Sequence, residues 1–507
     1  MSKVVFISWD SAEPALLNRW LADGSLPNLK QLKERSQAVE DIRALSGMGH
    51  AVFWNSLSTG LNPGEHGEYG FRQLIPGTYN LIRFDIDADL QGTPFWVDIS
   101  KAGSKVAIVD VPKSLLTSEI KGIQLTDWTS FAQTGVPRSH PPDYIQTVSD
   151  TLGSDPFGGR SDQVRTTAED FNAYFDKVIK RIAIKTKFTC QLLQDPENFD
   201  FLMVVFGDSH EAGHFTWHLN DSHHPRYDPT VVAECGNVLK AVYIELDQAL
   251  GRVLSVMKED ASVVFFAGPG TGPNYTAGHL LPQILHRLQQ PVLFNQTGIS
   301  SQLFKFNDFW SNNKFASKVR NKLNRLQPSK RKIKQQLKEL RQSGRRISSF
   351  PTSVAQQAFF ALPYHDNAGA IRINLREREP DGKITMGQSF ETAMEFLETE
   401  LKALRNTETG EPIVREIIRV KGTYSGRHSQ SFPDLLALWN RTNPIASVTS
   451  PRIGKVEGRL YDLVRPGDHT ENTLLLTPKS YSTLISPPAT VYEVGRYLTK
   501  LCAAANR

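Results

Sequence analysis

The most constraining feature of this chain is a repeated change of hydrophobic period, in which short apolar runs end at polar or glycine-rich residues and alternate with longer stretches at helical spacing. Val4 to Ser8 is such a run and stops just before Asp10; Ala15 to Leu21 and Leu29 to Leu32 then recur at helical intervals. Lys105 to Val111 (KVAIVDV) repeats the pattern. So does Phe201 to Phe206 (FLMVVF), after a long helical stretch from about Phe171 to Leu193. Ser262 to Phe266 (SVVFF) follows the amphipathic segment Val242 to Met257. Runs without polar alternation need cover on both faces, and strands separated by helices pair in parallel. The expected fold is therefore α/β, with a mostly parallel central sheet and helices on both faces. Ligands bind such sheets outside the carboxyl ends of the strands. That is where Asp10, the segment Asp208 to His214 and the loop Gly268 to Gly272 fall.

At 507 residues the chain exceeds one ordinary core, so insertions or further domains are expected. Between about Gln283 and Pro363 the pattern turns basic and helix-prone. The expected division is an α/β core over 1–282, a basic helical insertion or cap over 283–363, and the rest of the core over 364–507, resuming at Ala370 to Leu375 (AIRINL) and ending in a helix from Val491 to Ala505. From Ser311 to Arg346 there are thirteen Lys or Arg against one acid, Glu339, although the whole chain carries only +5. Val319, Leu323, Leu326, Ile333, Leu337 and Leu340 are spaced through that segment as on one helix face. Residues 314–346 are thus a candidate contact for an anionic partner, with a solvated helix face as the plainer alternative.

No run reaches the roughly 18 apolar residues of a spanning helix, and MSKVVFISWD lacks the pattern of a signal peptide. Three scattered cysteines, Cys190, Cys235 and Cys502, make no disulfide framework. A cytoplasmic, reducing location is the expectation.

HEAGH, His210 to His214, sets two imidazoles four residues apart just after a strand. On a helix they share one face and suit one divalent metal; on a loop they are hydrogen-bonded polar residues. Asp10 is either a metal ligand at a strand exit or the N-cap of the helix that follows. The residues alone leave both pairs of readings open.

Five segments nevertheless resemble, in order, those of the alkaline phosphatase superfamily, and within it the type I phosphodiesterase/nucleotide pyrophosphatase branch. FISWDSAEPALLNRWLADGSLPNLKQL is similar to the family's opening, with its metal-binding Asp and later LPNL. GHAVFWNSLSTGLNPGEHG resembles the segment from the nucleophile to the TG-x-x-P-x-x-HG signature. GDSHEAGHFTWH resembles the D-x-x-x-H metal motif, GPGTGPNYTAGH the D-H-G motif, and RPGDHTENTLLL the final G-x-H segment.

The resemblance implies one metal held at the positions of His210, His214 and His469, with Asp208 as a substitute or supporting ligand. The family's second metal is held by the early Asp, the nucleophile and the Asp-His pair. Asp10 remains, but the pair reads Gly268 and Pro269, and His50 stands at the nucleophile's place. His50 is thus a candidate ligand, base or phosphoryl acceptor, with Ser46 as a substitute hydroxyl. His66 is expected to organise its turn, and His279, Arg427 and His428 are weaker pocket candidates. The implied function is a metal-dependent hydrolase or transferase of a phosphoester-like substrate, small or carrier-linked, with Asp10 and His50 in the chemistry. The metal is expected to be zinc, with manganese or iron as alternatives. The competing readings are a non-catalytic scaffold that keeps the fold and a biosynthetic enzyme with altered chemistry.

Overall fold

In the computed structural model, which describes residues 4–40, 42, 45–129, 136–158, 161–195, 199–258, 261–290, 330–363, 368–458 and 465–505, the apolar runs become neighbours in one eight-stranded sheet. The strand order is Ser36–Glu40, Leu474–Pro478, Ser262–Gly268, Val4–Asp10, Phe201–Phe206, Val106–Val109, Gly122–Thr126, Arg138–His140. Ser262–Gly268 through Gly122–Thr126 run parallel, and antiparallel strands complete both sides.

Every residue of Val4–Asp10 is buried, because the two faces of the strand meet different layers. Val5, Ile7 and Trp9 join Leu17 and Trp20 of Pro14–Ala22, Val178 and Ile182 of Ala168–Gln194, and Leu246 and Leu250 of Val238–Ser255. On the other face Phe6 stacks on Phe266, and Phe266 meets Phe53 and Trp54 of the helix His50–Thr59. The terminal helix Val491–Ala505 packs against that helix and against Phe95–Lys101. Side chains of this size contribute about 1.5–3 kcal/mol each on burial, so the sheet is anchored from both sides and its strand exits are held firmly.

The described residues group into two units. The first takes in 1–62, 86–274 and 461–507, and the second 63–85 and 275–460. This differs from the consecutive segments 1–282, 283–363 and 364–507 expected from sequence. The strand Ala368–Ile373, where the core is expected to resume, pairs antiparallel with Phe359–Leu362 and Leu435–Trp439 in the second unit. Its Ile371 and Ile373 belong to a separate apolar core with Ile284, Leu397 and Trp439. An apolar run shows that a strand is buried but not which sheet receives it. Of the basic segment, Lys330–Gln342 is an α-helix; residues 291–329, with Phe304 to Trp310 and the start of the lysine and arginine run, lie outside the described residues. Among those described, no helix is long and apolar enough to cross a membrane.

Candidate metal centre

Asp10 is the last residue of its strand and lies opposite Gly268 in register. It is not the cap of the next helix. Ser11 turns the chain with a φ of 56°, and Glu13 caps Pro14–Ala22 by accepting from the Ala15 amide at 3.3 Å. The Asp10 carboxylate is thereby left free of helix-capping duties. Ser209 Oγ holds the Asp10 carbonyl at 2.7 Å, tying this exit to that of Phe201–Phe206.

Three other segments bring imidazoles to this carboxylate. His50, at the start of His50–Thr59, places Nε2 2.7 Å from Asp10 Oδ1. His210, in the helix Asp208–Asn220, places Nδ1 2.9 Å from Oδ2. His214 lies one turn further on, and His469 closes the short strand Gly467–His469. Ring centroids are 4.3 Å apart for His50 and His210, and 4.7 Å for both His50 with His469 and His214 with His469.

The hydrogen bonds restrict the tautomers. His214 Nδ1 lies 2.8 Å from the Gly467 carbonyl, which only accepts, so Nδ1 carries the hydrogen and a neutral ring leaves Nε2 as a bare acceptor. That Nε2 faces His469 Nε2 at 3.2 Å. Either a proton or a cation must bridge these atoms. Two nitrogens on one tetrahedral zinc, each at about 2.0–2.1 Å, lie about 3.3 Å apart, so the pair fits a shared divalent ion. His50, His210 and His469 have ring nitrogens within 4.8 Å of one another, as do the donor atoms of His214, Asp468 and His469. The donor set therefore fits a cation held mainly by nitrogen.

Burial favours neutral rings. Burial, reinforced by Arg465 and neighbouring imidazoles, pushes the proton affinity of His214 well below the histidine norm; burial and His50, His214 and His210 do so for His469. Burial also lowers His50, against the pull of Asp10 and with help from His210 and Lys113. Burial alone would raise Asp10, but the facing His50 and His210 hold its carboxyl below the usual range. The His50–Asp10 contact is thus a neutral imidazole donating to a carboxylate, and the neutral rings of His50, His214 and His469 each keep one lone pair.

Asp208, expected as a ligand or its support, faces Arg181. Its Oδ1 accepts from Arg181 Nε at 2.7 Å, Glu211 Oε1 accepts from Arg181 Nη1 at 2.8 Å, and all three residues are buried. A guanidinium arriving from the long preceding helix claims the carboxylate. The Ser11 hydroxyl lies at Asp10, its Oγ 3.3 Å from both Asp10 Oδ1 and His469 Nδ1. His66 is buried and accepts the Glu68 amide at 3.2 Å, an organiser of its turn. His66, His279 and His428 belong to the second unit. Missed from sequence were Ser11, Asp468, the cationic Lys113 and Arg465, and above all Trp54, whose Nε1 donates to Asp10 Oδ1 at 2.9 Å. A tryptophan four residues after a histidine on a helix reads as core, and only its N–H hinted otherwise.

Residues 4–442 match the type I phosphodiesterase / nucleotide pyrophosphatase family. The chain belongs to this family. Its fold is that of the alkaline phosphatase superfamily. The phosphonoacetate hydrolase of Sinorhizobium meliloti 1021, solved with phosphonoformate and with phosphonoacetate, is similar at a TM-score of 0.50 and 15% identity, over 99% of this chain and 96% of that one. Human ectonucleotide pyrophosphatase / phosphodiesterase 5 is similar at a TM-score of 0.46 and 10% identity, over 99% and 95%. No curated protein matches the sequence. Family membership carries metal-dependent phosphoester hydrolysis as the general class and a divalent cation as its general requirement.

Proposed function

We propose that the chain is a phosphoester hydrolase or transferase that works with one divalent cation, zinc in first place, held by His210, His214 and His469. The observation that carries this reading is the 3.2 Å approach of His214 Nε2 to His469 Nε2, with the His210 ring 4.8 Å from each of the two rings. Imidazole donors suit zinc, iron and their neighbours better than magnesium or calcium. A cation there would supply Lewis-acid polarisation of a phosphoryl oxygen.

The chain's own residues do the rest. Asp10 accepts from His50 Nε2, so a neutral His50 keeps its lone pair on Nδ1 and serves as general base toward water or an acceptor hydroxyl. Asp10 likewise fixes His210 through Nδ1, and Gly467 fixes His214 through its carbonyl. Such partners orient ligating rings and raise their basicity. Lys113 and Arg465, whose charges already bear on the histidines, draw an anionic substrate toward them.

The test is turnover of an aryl phosphodiester by protein stripped of metal and reloaded with zinc or manganese. His50→Ala should abolish activity, and His50→Thr, which supplies a hydroxyl, should not restore it, since Gly268 and Pro269 offer no further ligand. Robust activity in His50→Thr would overturn the one-cation scheme, and full activity in His50→Ala would reduce His50 to packing. One feature favours a second reading, a non-catalytic binding protein: an added Cβ at Gly268 would meet Asn472 O at 2.9 Å, so this side of the site is closed. A metal-loaded protein that binds phosphoesters without turning over any of a broad panel would establish that reading.

A further inference from the structure

We propose that Trp54 is a positioning residue for the metal centre: its indole N–H occupies Asp10 Oδ1 and leaves Oδ2 to orient the His210 ring toward a cation. The inference rests on the one-cation reading above and goes beyond it by naming what fixes the carboxylate that orients a ligating ring.

Trp54 is fully buried, and its Nε1 lies 2.9 Å from Asp10 Oδ1 and 3.1 Å from His50 Nε2. With His50 Nε2 at 2.7 Å and Ser11 Oγ at 3.3 Å on the same oxygen, Oδ1 is surrounded by donors. An indole N–H only donates and keeps its hydrogen at any working pH, so it neutralises part of the carboxylate's charge without ligating a cation. The hydrogen bond survives where a freely rotating donor would yield, because the ring is wedged edge-on against Phe266 and Phe53.

The strand beside Asp10 offers a second cation nothing. Gly268, Pro269 and Gly270 carry no ligand atoms on their side chains. Gly268 has a φ of +131°, and a side chain there would meet the Asn472 carbonyl and Thr473 at 2.9 Å each. The Cβ position of Gly270 is taken by the Glu13 carboxylate, which is itself held by Thr470 Oγ1 at 2.7 Å and Asn472 Nδ2 at 2.8 Å. Indole on one side and packed backbone on the other enclose Oδ1, whereas Oδ2 faces His210.

The experiment is a zinc titration by calorimetry on wild-type, Trp54→Phe and Asp10→Asn proteins. Melting in chelator first shows that each variant is folded at the titration temperature. Wild type should take up one zinc that Asp10→Asn weakens. Trp54→Phe removes the N–H together with part of the ring's packing; it should still take up one zinc, about tenfold more weakly, as is usual when a group that orients a ligand is removed. A purely structural tryptophan would lower the chelator melting point and leave the zinc affinity unchanged, so an affinity within twofold of wild type overturns the proposal. So does wild-type uptake of two zinc ions that are both weakened by Asp10→Asn, an outcome that stands even if Trp54→Phe fails to fold. Absence of any zinc uptake by wild type would instead sink the metal reading itself.

Discussion

Replacing Arg181 by methionine strips two buried carboxylates of their cation at once. The guanidinium is 1% exposed and the Asp208 and Glu211 side chains 0% and 2%, with bonds of 2.7 and 2.8 Å and Asp155 a further 3.8 Å away. Burial works against the charge on Arg181, but Asp208 and Glu211 more than offset it and hold its proton affinity well above the arginine norm. Removing one partner of a buried pair costs about 3–5 kcal/mol, because the other charge is stranded. Arg181→Met should therefore destabilise by at least about 3 kcal/mol, read from urea unfolding in chelator. The network is also incompletely satisfied: Arg181 Nη2, Asp208 Oδ2 and Glu211 Oε2 find no partner among the described residues. Neutralising all three groups as Arg181→Met/Asp208→Asn/Glu211→Gln should consequently recover more than half of the loss, since replacing a whole buried ionic set is far milder than halving it. Asp208 and Glu211 lie on the helix that carries His210 and His214, so zinc affinity should fall in the single variant and return in the triple one. A loss below about 1 kcal/mol for Arg181→Met would refute this account of the network.

Acid should weaken the fold early. His50, His214 and His469 have proton affinities lowered by burial, and His66, His218 and His224 are brought down to about 3, 3 and 4. The unfolded chain therefore binds protons first. Stability is intact above about pH 6.5 and falls below it by up to about 1.4 kcal/mol per histidine per pH unit. A urea midpoint unchanged between pH 7.5 and 5.5 would contradict this. Lys113→Ala and Arg465→Ala should raise KM for an anionic ester about tenfold, worth about 1.4 kcal/mol, with kcat changed less; equal KM values would remove both residues from substrate attraction. His214→Ala should abolish the zinc-dependent rise in melting temperature, which at a hundredfold excess over Kd corresponds to about 2.7 kcal/mol in wild type. A persistent rise would place the ion elsewhere.

The central sheet was legible because its parallel strands are buried on both faces and end at chemically distinctive residues. Asp10, His210, His214 and His469 stand at a strand exit or on the first turns after one, which is what marks them as candidates. What escaped notice depends on side chains that meet across long separations. Trp54 is an unremarkable core residue until its N–H is seen at Asp10, and Asp208 looks like a ligand until Arg181 is found beside it. Asp468 sits next to a histidine whose role drew all the attention. The second unit was not legible because Ala368–Ile373 is apolar enough for either sheet, and its partners Phe359–Leu362 and Leu435–Trp439 are no more specific.

The account stands or falls on whether one cation lies among His210, His214 and His469. Crystals grown from protein purified without chelator, with diffraction recorded on both sides of the zinc absorption edge, test this directly. The prediction is a single anomalous peak shared by His214 Nε2 and His469 Nε2, within reach of His210, and no second peak between Asp10 and Gly268. Two peaks astride Asp10 would contradict the one-cation site, and no peak at all, with the two imidazoles still 3.2 Å apart and bridged by a proton, would contradict the metal centre.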